Sequence, residues 1–260
     1  MNDFLFREVP LLGRRLHRIG IVGNYGIDPE TFEAALDAGV NYVFWTPKMR
    51  KVTPALKAAL RRDRSAIVLA TGPTFSYTGA SLRKSADAIR RQLDIDQIDI
   101  LQQFWLGKTA AETASTREAL INLKADGVVK HIGTSIHDRP RAGQLAKDRV
   151  YDMLMVRYNA AHPGAEQDIF PHVDPKATAL ISYTATRWRK LLKRPRGWSG
   201  DVPTAADCYR FCLTHSAVDV SLMGVKNADQ LLENLRGLEK GPMDGEEMET
   251  MRAFGRAVRG

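Results

Sequence analysis

A histidine, an arginine and a tyrosine that could move a proton or hold an anion stand at the ends of short apolar runs. His137 follows HIGTS (131–135), Arg157 and Tyr158 close DMLMVRY (152–158), and Tyr183 closes ALISY (179–183). A neutral imidazole exchanges protons near pH 7. A guanidinium grips a carboxylate or phosphate through two parallel hydrogen bonds. A tyrosine offers a ring face for stacking and a hydroxyl. His137, Arg157 and Tyr183 are therefore the candidate catalytic residues. Two of them also have a plainer reading: a loop histidine for His137, and an ion pair to Glu166 or Asp168 for Arg157. His162, followed by Pro163 and Gly164, reads as structural. Neighbouring runs end on Asn24 and Tyr25, Trp45 and Thr46, Thr71 and Gly72, Phe104 and Trp105, Ser135, Thr184 with Thr186 and Arg187, and Gly224 with Lys226. The set is aromatic, hydroxylated and cationic. Its nearest acids, Asp138, Glu166 and Asp168, all lie past the ends of their runs. Hard cations need several oxygen anions and glycoside cleavage needs two carboxylates, so neither a metal site nor paired-acid chemistry is expected. Ser135 and His137 sit in no nucleophile-elbow motif. A small anionic or aromatic molecule, such as a nucleotide carrying a flat ring, suits the set best.

The elements that must position these residues alternate along the whole chain. Strand-like runs fall at 18–23, 41–45, 67–71, 98–104, 131–135, 152–158, 179–183 and 218–223. They are rich in Ile, Leu and Val, as strands buried on both faces should be. Amphipathic stretches separate them: 29–38 behind the N-cap Asp28, 54–62 behind Thr53, 81–93 with Ser81 as cap, 111–125 ending at Asp126-Gly127, and 227–238. Strand–helix alternation implies a parallel sheet with right-handed crossovers. Eight such units in 260 residues predict a single (β/α)8 TIM barrel over 1–260, with an open doubly wound sheet as the structural alternative. Leu5–His17 precedes the first barrel strand as a hairpin-like segment able to plug the barrel bottom, and 245–258 reads as a C-terminal helix. In such barrels chemistry sits at the C-terminal strand ends, which is where the residues above fall.

Composition narrows the classes. Hydrophobic residues make up 44% and charged residues 26%, ordinary for a globular chain. No apolar run reaches the ~18 residues of a membrane span, and the N-terminus lacks a secretory pattern, so a cytoplasmic protein is expected. Cys208 and Cys212, one helical turn apart, read as small buried side chains. The net charge of +8 favours anionic ligands. Six cations crowd TRWRKLLKRPRGW at 186–198, but no aromatic-rich nucleic-acid motif accompanies them, so nucleic acid is set aside.

Five stretches, in order and covering most of the chain, resemble the aldo-keto reductase superfamily: LDAGVNY (36–42), SLRKSADAIRRQLDIDQIDILQ (81–102), GVVKHIGTS (127–135), RYNAAHPGAEQDIFP (157–171) and MGVKNADQLLENLRGL (223–238). The resemblance implies a TIM barrel that binds NADP(H) and reduces carbonyls with an Asp, a Tyr, a Lys and a His. At the matching positions this sequence holds Phe44, Met49, Gly72 and Phe104, none of which donates or relays a proton. Of the nicotinamide carboxamide grip, Ser135 remains, while Ile136 and Met155 replace its partners. Tyr183 matches the ring-stacking aromatic. Gly224, Lys226, Gln230 and Asn234 match the adenosine-phosphate end. Thr184 and Arg187 follow strand seven, where barrels often bind phosphate. The resulting expectation is a divergent small-molecule-binding barrel, read as an atypical NADP(H) oxidoreductase in which His137 or Tyr25 replaces the lost acid. A lyase or isomerase acting on an anionic substrate and a non-catalytic binding protein stay open.

Overall fold

The computed structural model describes residues 4–260. Two short strands come first: β1 (Phe6–Val9) and β2 (Arg14–His17) pair antiparallel through a turn. Eight parallel strands follow: β3 (Ile19–Val22), β4 (Tyr42–Phe44), β5 (Val68–Thr71), β6 (Ile98–Leu106), β7 (Val129–Ile136), β8 (Met153–Arg157), β9 (Ala179–Tyr183) and β10 (Val220–Met223). Each pairs with the next, and β10 closes on β3 through Ser221↔Ile19 to Met223↔Ile21. That closure makes the sheet a barrel and excludes the open alternative.

The helices are α1 (Pro29–Asp37), α2 (Thr53–Arg62), α3 (Gly79–Leu93), α4 (Ala114–Ala125), α5 (Arg139–Lys147), α6 (Ala165–Asp168), α7 (Ala205–Thr214), α8 (Ala228–Leu238) and α9 (Gly245–Arg259). Asp28 caps α1 as expected, accepting from Thr31 N at 2.6 Å. α3 begins two residues before the expected Ser81, because Thr78 supplies the cap. α4 starts three residues later than expected, behind a reciprocal Thr113–Thr116 capping box. The sequence reading assigned no helix to α5 or α7. The buried face of α5 is Ala142, Gly143, Leu145 and Ala146, too small to mark a strong period, and α7 is buried continuously from Cys208 to Leu213. Both cysteines are free and buried. Among the described residues, no helix is long and apolar enough to cross a membrane.

Strand alternation decides which side chains reach the barrel axis. Val22, Tyr42, Val68, Ala70, Ile100, Met153, Met155, Ala179, Ile181, Val220 and Leu222 form one buried cluster, the barrel interior. Val9 and Leu16 of the hairpin join it from below, with Leu11 and Leu12 against it, so the N-terminal segment plugs the bottom. Carboxylates tie the opening turns of the strands together at that end. Asp99 accepts from Leu69 N at 2.9 Å, Asp152 from Ile132 N at 2.9 Å and Asp219 from Leu180 N at 2.8 Å. Each also meets a cation: Arg64 and Lys130 on Asp99, Lys124 on Asp152, Arg7 on Asp219. Acid is thus used for architecture at the bottom, and the mouth is left cationic.

Candidate functional site

Continuing the inward register one step above Met155 and Ile181 brings Arg157 and Tyr183 to the mouth, paired across β8 and β9. Ser135 pairs with Met155 and Ile136 with Val156, so His137 follows level with Arg157. The three candidate catalytic residues are therefore brought together. The Tyr183 hydroxyl and His137 Nε2 lie 3.0 Å apart, and their rings meet edge-to-face at 5.7 Å. Burial, then the charge of Arg157, lowers the pKa of His137, so the imidazole is neutral at pH 7. Burial raises that of Tyr183, with Arg157 opposing. Arg157 has no carboxylate partner among the described residues. The two acids expected to pair with it are engaged elsewhere: Glu166 with Arg252 at 2.9 Å and with the Tyr158 hydroxyl at 2.6 Å, and Asp168 with Arg139 at 3.1 Å. Asp138 caps α5.

His162 is tied to Asn159 Oδ1 at 3.1 Å, and Asn159 Nδ2 donates to Thr184 O at 2.8 Å, joining the loops after β8 and β9. Its structural reading agrees with these bonds. Burial, then Arg157, Arg187, Arg259 and Arg139, bring the His162 pKa down to about 4.

An open cavity of about 560 Å³ runs from this mouth over the ends of β9, β10 and β3. Its inner end is apolar: Val22, Phe44, Met155, Tyr183 and Leu222. Its outer end carries Thr184, Thr186, Arg189, Thr204, Lys226, Gln230 and Asn234, with Glu233 as an acid. Gln230 Oε1 accepts from Lys226 N at 3.1 Å, and Asn227 caps α8 onto Gln230 N at 3.1 Å. The Tyr25 ring lies against the α-carbon of Gly224, where a Cβ would overlap it.

Of the residues read as cofactor-binding, Tyr183, Thr184, Gly224, Lys226, Gln230 and Asn234 line this cavity. Ser135 and Arg187 do not. The Ser135 Oγ accepts from Trp105 N at 2.7 Å. Arg187 Nη1 donates to Val258 O at 2.6 Å, so it reaches the end of α9 instead of the cavity. His137 and Arg157 also lie outside the lining. Trp188, Arg189, Pro203, Thr204, Ala205 and Tyr209 line the cavity without having been read as binding residues. Thr204, which caps α7 with Asp207, carried a sequence signal in its spacing to that acid. Arg189 was legible only as one of the six cations of 186–198 and Trp188 not at all, because the chain passes through left-handed conformations at Thr184 (φ 59), Arg187 (φ 49), Trp188 (φ 50) and Arg189 (φ 67) without a glycine.

The positions where the resemblance expects Asp, Tyr, Lys and His are closed by packing. Phe44 and Phe104 meet edge-to-face at 5.3 Å. Met49 is buried against Gly23, its sulfur 3.2 Å from where a Cβ would stand. At Gly72 a Cβ would overlap the carbonyl oxygen of Gln102 and stand 3.3 Å from Phe104 Cε2. Tyr42, the tyrosine nearest Met49 in sequence, is fully buried in the barrel interior and does not reach the mouth.

A scan against protein-family profiles matches the Aldo/keto reductase family over residues 29–196. The chain belongs to that family. A search of curated proteins returns no significant match. Among solved structures, the holo form of an aldo-keto reductase from Bacillus halodurans superposes with a TM-score of 0.81 at 20% identity, covering 98% of this chain and 99% of that one. An aldo-keto reductase from Klebsiella pneumoniae, solved in complex with NADPH, superposes at 0.74 with 17% identity, covering 94% and 93%. At such identities the likeness carries the fold.

For a member of this family the donor set in the cavity suits a nucleotide with phosphates. Two cations, three threonine hydroxyls and two amides surround its outer end, and apolar walls with an aromatic face line its inner end. Lys226 and Arg189 would hold phosphate, and Tyr183 would take a flat ring. At the carboxamide end the fit is thin: Met155 offers no hydrogen bond, and Ser135 faces Trp105.

Proposed function

We propose that this protein is a divergent aldo-keto reductase that binds NADP(H) along the groove and a small anionic or aromatic molecule at the mouth, without the family's Tyr-donated reduction. The observation that carries the divergence is Gly72: where the family places its Lys, the backbone carbonyl of Gln102 and the Phe104 ring leave no room for a Cβ. Phe44 and Met49 complete an apolar wall where acid and proton donor would stand.

A bound NADPH would supply hydride. The chain's own contribution is the proton. His137 and Tyr183 form a hydrogen-bonded pair of proton carriers at the mouth. Neutral His137 leaves one ring nitrogen to accept or donate, and Tyr183 keeps its proton until a base takes it. Tyr25, half exposed at the groove, adds a phenol hydroxyl to the cavity lining. Phe44, Phe104 and Met155 keep the floor apolar, which strengthens any charge interaction made above it.

NADPH titration of the purified protein tests this reading, followed by tryptophan fluorescence and melting temperature. Saturable micromolar binding, with slow NADPH consumption across an aldehyde panel and its loss in His137→Ala, is the expected result. At 100 times Kd, ligand adds about 2.7 kcal/mol of linked stability. No binding at millimolar NADPH overturns the cofactor assignment. Binding without any turnover leaves a non-catalytic binding protein.

A further inference from the structure

The groove and the mouth carry separate cations. Lys226 and Arg189 line the groove, whereas Arg157 stands on the β8 side, outside that lining. Arg157 continues the inward-facing register of Met153 and Met155, and no described carboxylate pairs with it. Its surroundings add more positive charge. The Arg139 guanidinium lies on the α-carbon of Gly164, five residues before which Asn159 ties β8 to the Thr184 loop. Arg187 binds Val258 O, which brings Arg259 to the same corner. The acids of this corner are engaged away from Arg157: Asp168 on Arg139, Glu166 on Arg252, and Asp138 at the start of α5. A half-buried cation without a counterion is costly unless an anion joins it.

A second, independent feature faces the same place. The pairing of β6 with β7 slips between Gln103 and Leu106, a bulge that puts Phe104 inward and leaves Trp105 on the rim. Trp105 is 46% exposed and has φ 54, a left-handed conformation that a bulky residue rarely adopts. The Ser135 Oγ holds it there by accepting its N–H at 2.7 Å, and its ring meets His137 at 5.4 Å. A strained, presented indole beside the proton pair is a flat platform.

We propose that Arg157 and Trp105 form an acid-binding subsite that takes the carboxylate of a small planar acid, the carboxylate on the guanidinium fork and the flat body over the indole. The proposal extends the reading above by naming the class of small molecule at the mouth. It does not require the groove to hold a nucleotide. A planar acid held this way lies beside His137 and Tyr183, so a carbonyl it carried would meet the proton pair.

Calorimetric titration of the full chain with benzoate, benzamide and inorganic phosphate tests it, with NADPH titrated separately. Benzoate is expected to bind at one site at least tenfold more tightly than benzamide, its neutral isostere, and more tightly than phosphate. Arg157→Met should bring benzoate down to the benzamide level and leave NADPH affinity within threefold. Arg157→Lys, which keeps the charge but loses the fork, should fall between. Trp105→Leu should weaken benzoate and benzamide alike. Equal binding of benzoate and benzamide, or benzoate binding unchanged in both Arg157 variants, overturns the subsite. Phosphate binding more tightly than benzoate overturns the planar-acid class. Benzoate binding that follows these expectations while NADPH fails to bind supports the subsite and removes only the nucleotide reading. If Arg157→Met melts early, Arg157→Lys decides alone.

Discussion

Gly72→Ala is the sharpest perturbation of the site, because its cost can be worked from two neighbours. The added methyl would meet the Gln102 carbonyl oxygen closer than 3.0 Å, a separation real Cβ atoms essentially never show. Ordinary carbon–oxygen contact begins near ~3.3 Å. The carbonyl cannot swing away, since Gln102 belongs to β6 and pairs with Gly133 of β7, while β6 pairs with β5 through Thr71↔Leu101. Phe104 on the other side is braced by Phe44. The strands must therefore part locally, and overpacking of this kind costs about 2–3 kcal/mol. For a chain of this size that is a fall of about 4–6 °C in melting temperature. Urea unfolding and calorimetry of Gly72→Ala measure it. Gly72→Lys should do worse, and adding Phe44→Asp, Met49→Tyr and Phe104→His should not raise aldehyde reduction above the parent's slow rate, because the lysine has no path into the mouth. A Gly72→Ala protein within ~0.5 kcal/mol of the parent, or a stable Gly72→Lys protein that gains reductase activity, would refute the reasoning.

Three further outcomes follow from particular contacts. Buried His17 has its pKa lowered from 6.5 to about 4 by burial, and its Nδ1 accepts from Ile19 N at 3.0 Å. The fold favours the neutral ring, so this stability is complete above pH 6.5 and is lost as pH falls toward 4, by roughly 3 kcal/mol. His17→Asn should flatten the stability–pH curve in that window, and an unchanged curve contradicts the assignment. Arg187→Met frees the left-handed loop from Val258 O; a lost charge-assisted bond of about 1.5–3 kcal/mol should weaken NADPH severalfold, read by fluorescence titration, although the side chain never touches the groove. Glu166→Ala strips the Tyr158 hydroxyl and Arg252 of their shared acid and should cost about 3 kcal/mol in urea unfolding.

Much of this molecule is written in local pattern. Each barrel strand is an apolar run that the sequence shows, and the N-cap Asp28 marks a helix start that the structure keeps. Residues at the ends of those runs had to reach the mouth, because a parallel barrel sends all eight strand ends to one face. Helices α5 and α7 escaped because small residues blur one pattern and full burial erases the other. Which mouth residues meet was not legible. His137 and Tyr183 are 46 positions apart in sequence and bond across the intervening strand, a result of register and tilt. Arg187, read as a phosphate ligand, turned to the C-terminal helix because a run of left-handed residues re-aims its side chain. That Arg157 is left without a carboxylate among the described residues was equally hidden. Sequence placed Glu166 and Asp168 within reach, but Arg252 and Arg139 claim them from helices that only the closed barrel brings near. The sequence alone determined the barrel and which residue types end its strands, because these follow from residue type and short-range spacing. Tertiary structure decided which cation stays unpaired and why no side chain fits at Gly72, because both depend on atoms distant in the chain that come together only when the barrel closes.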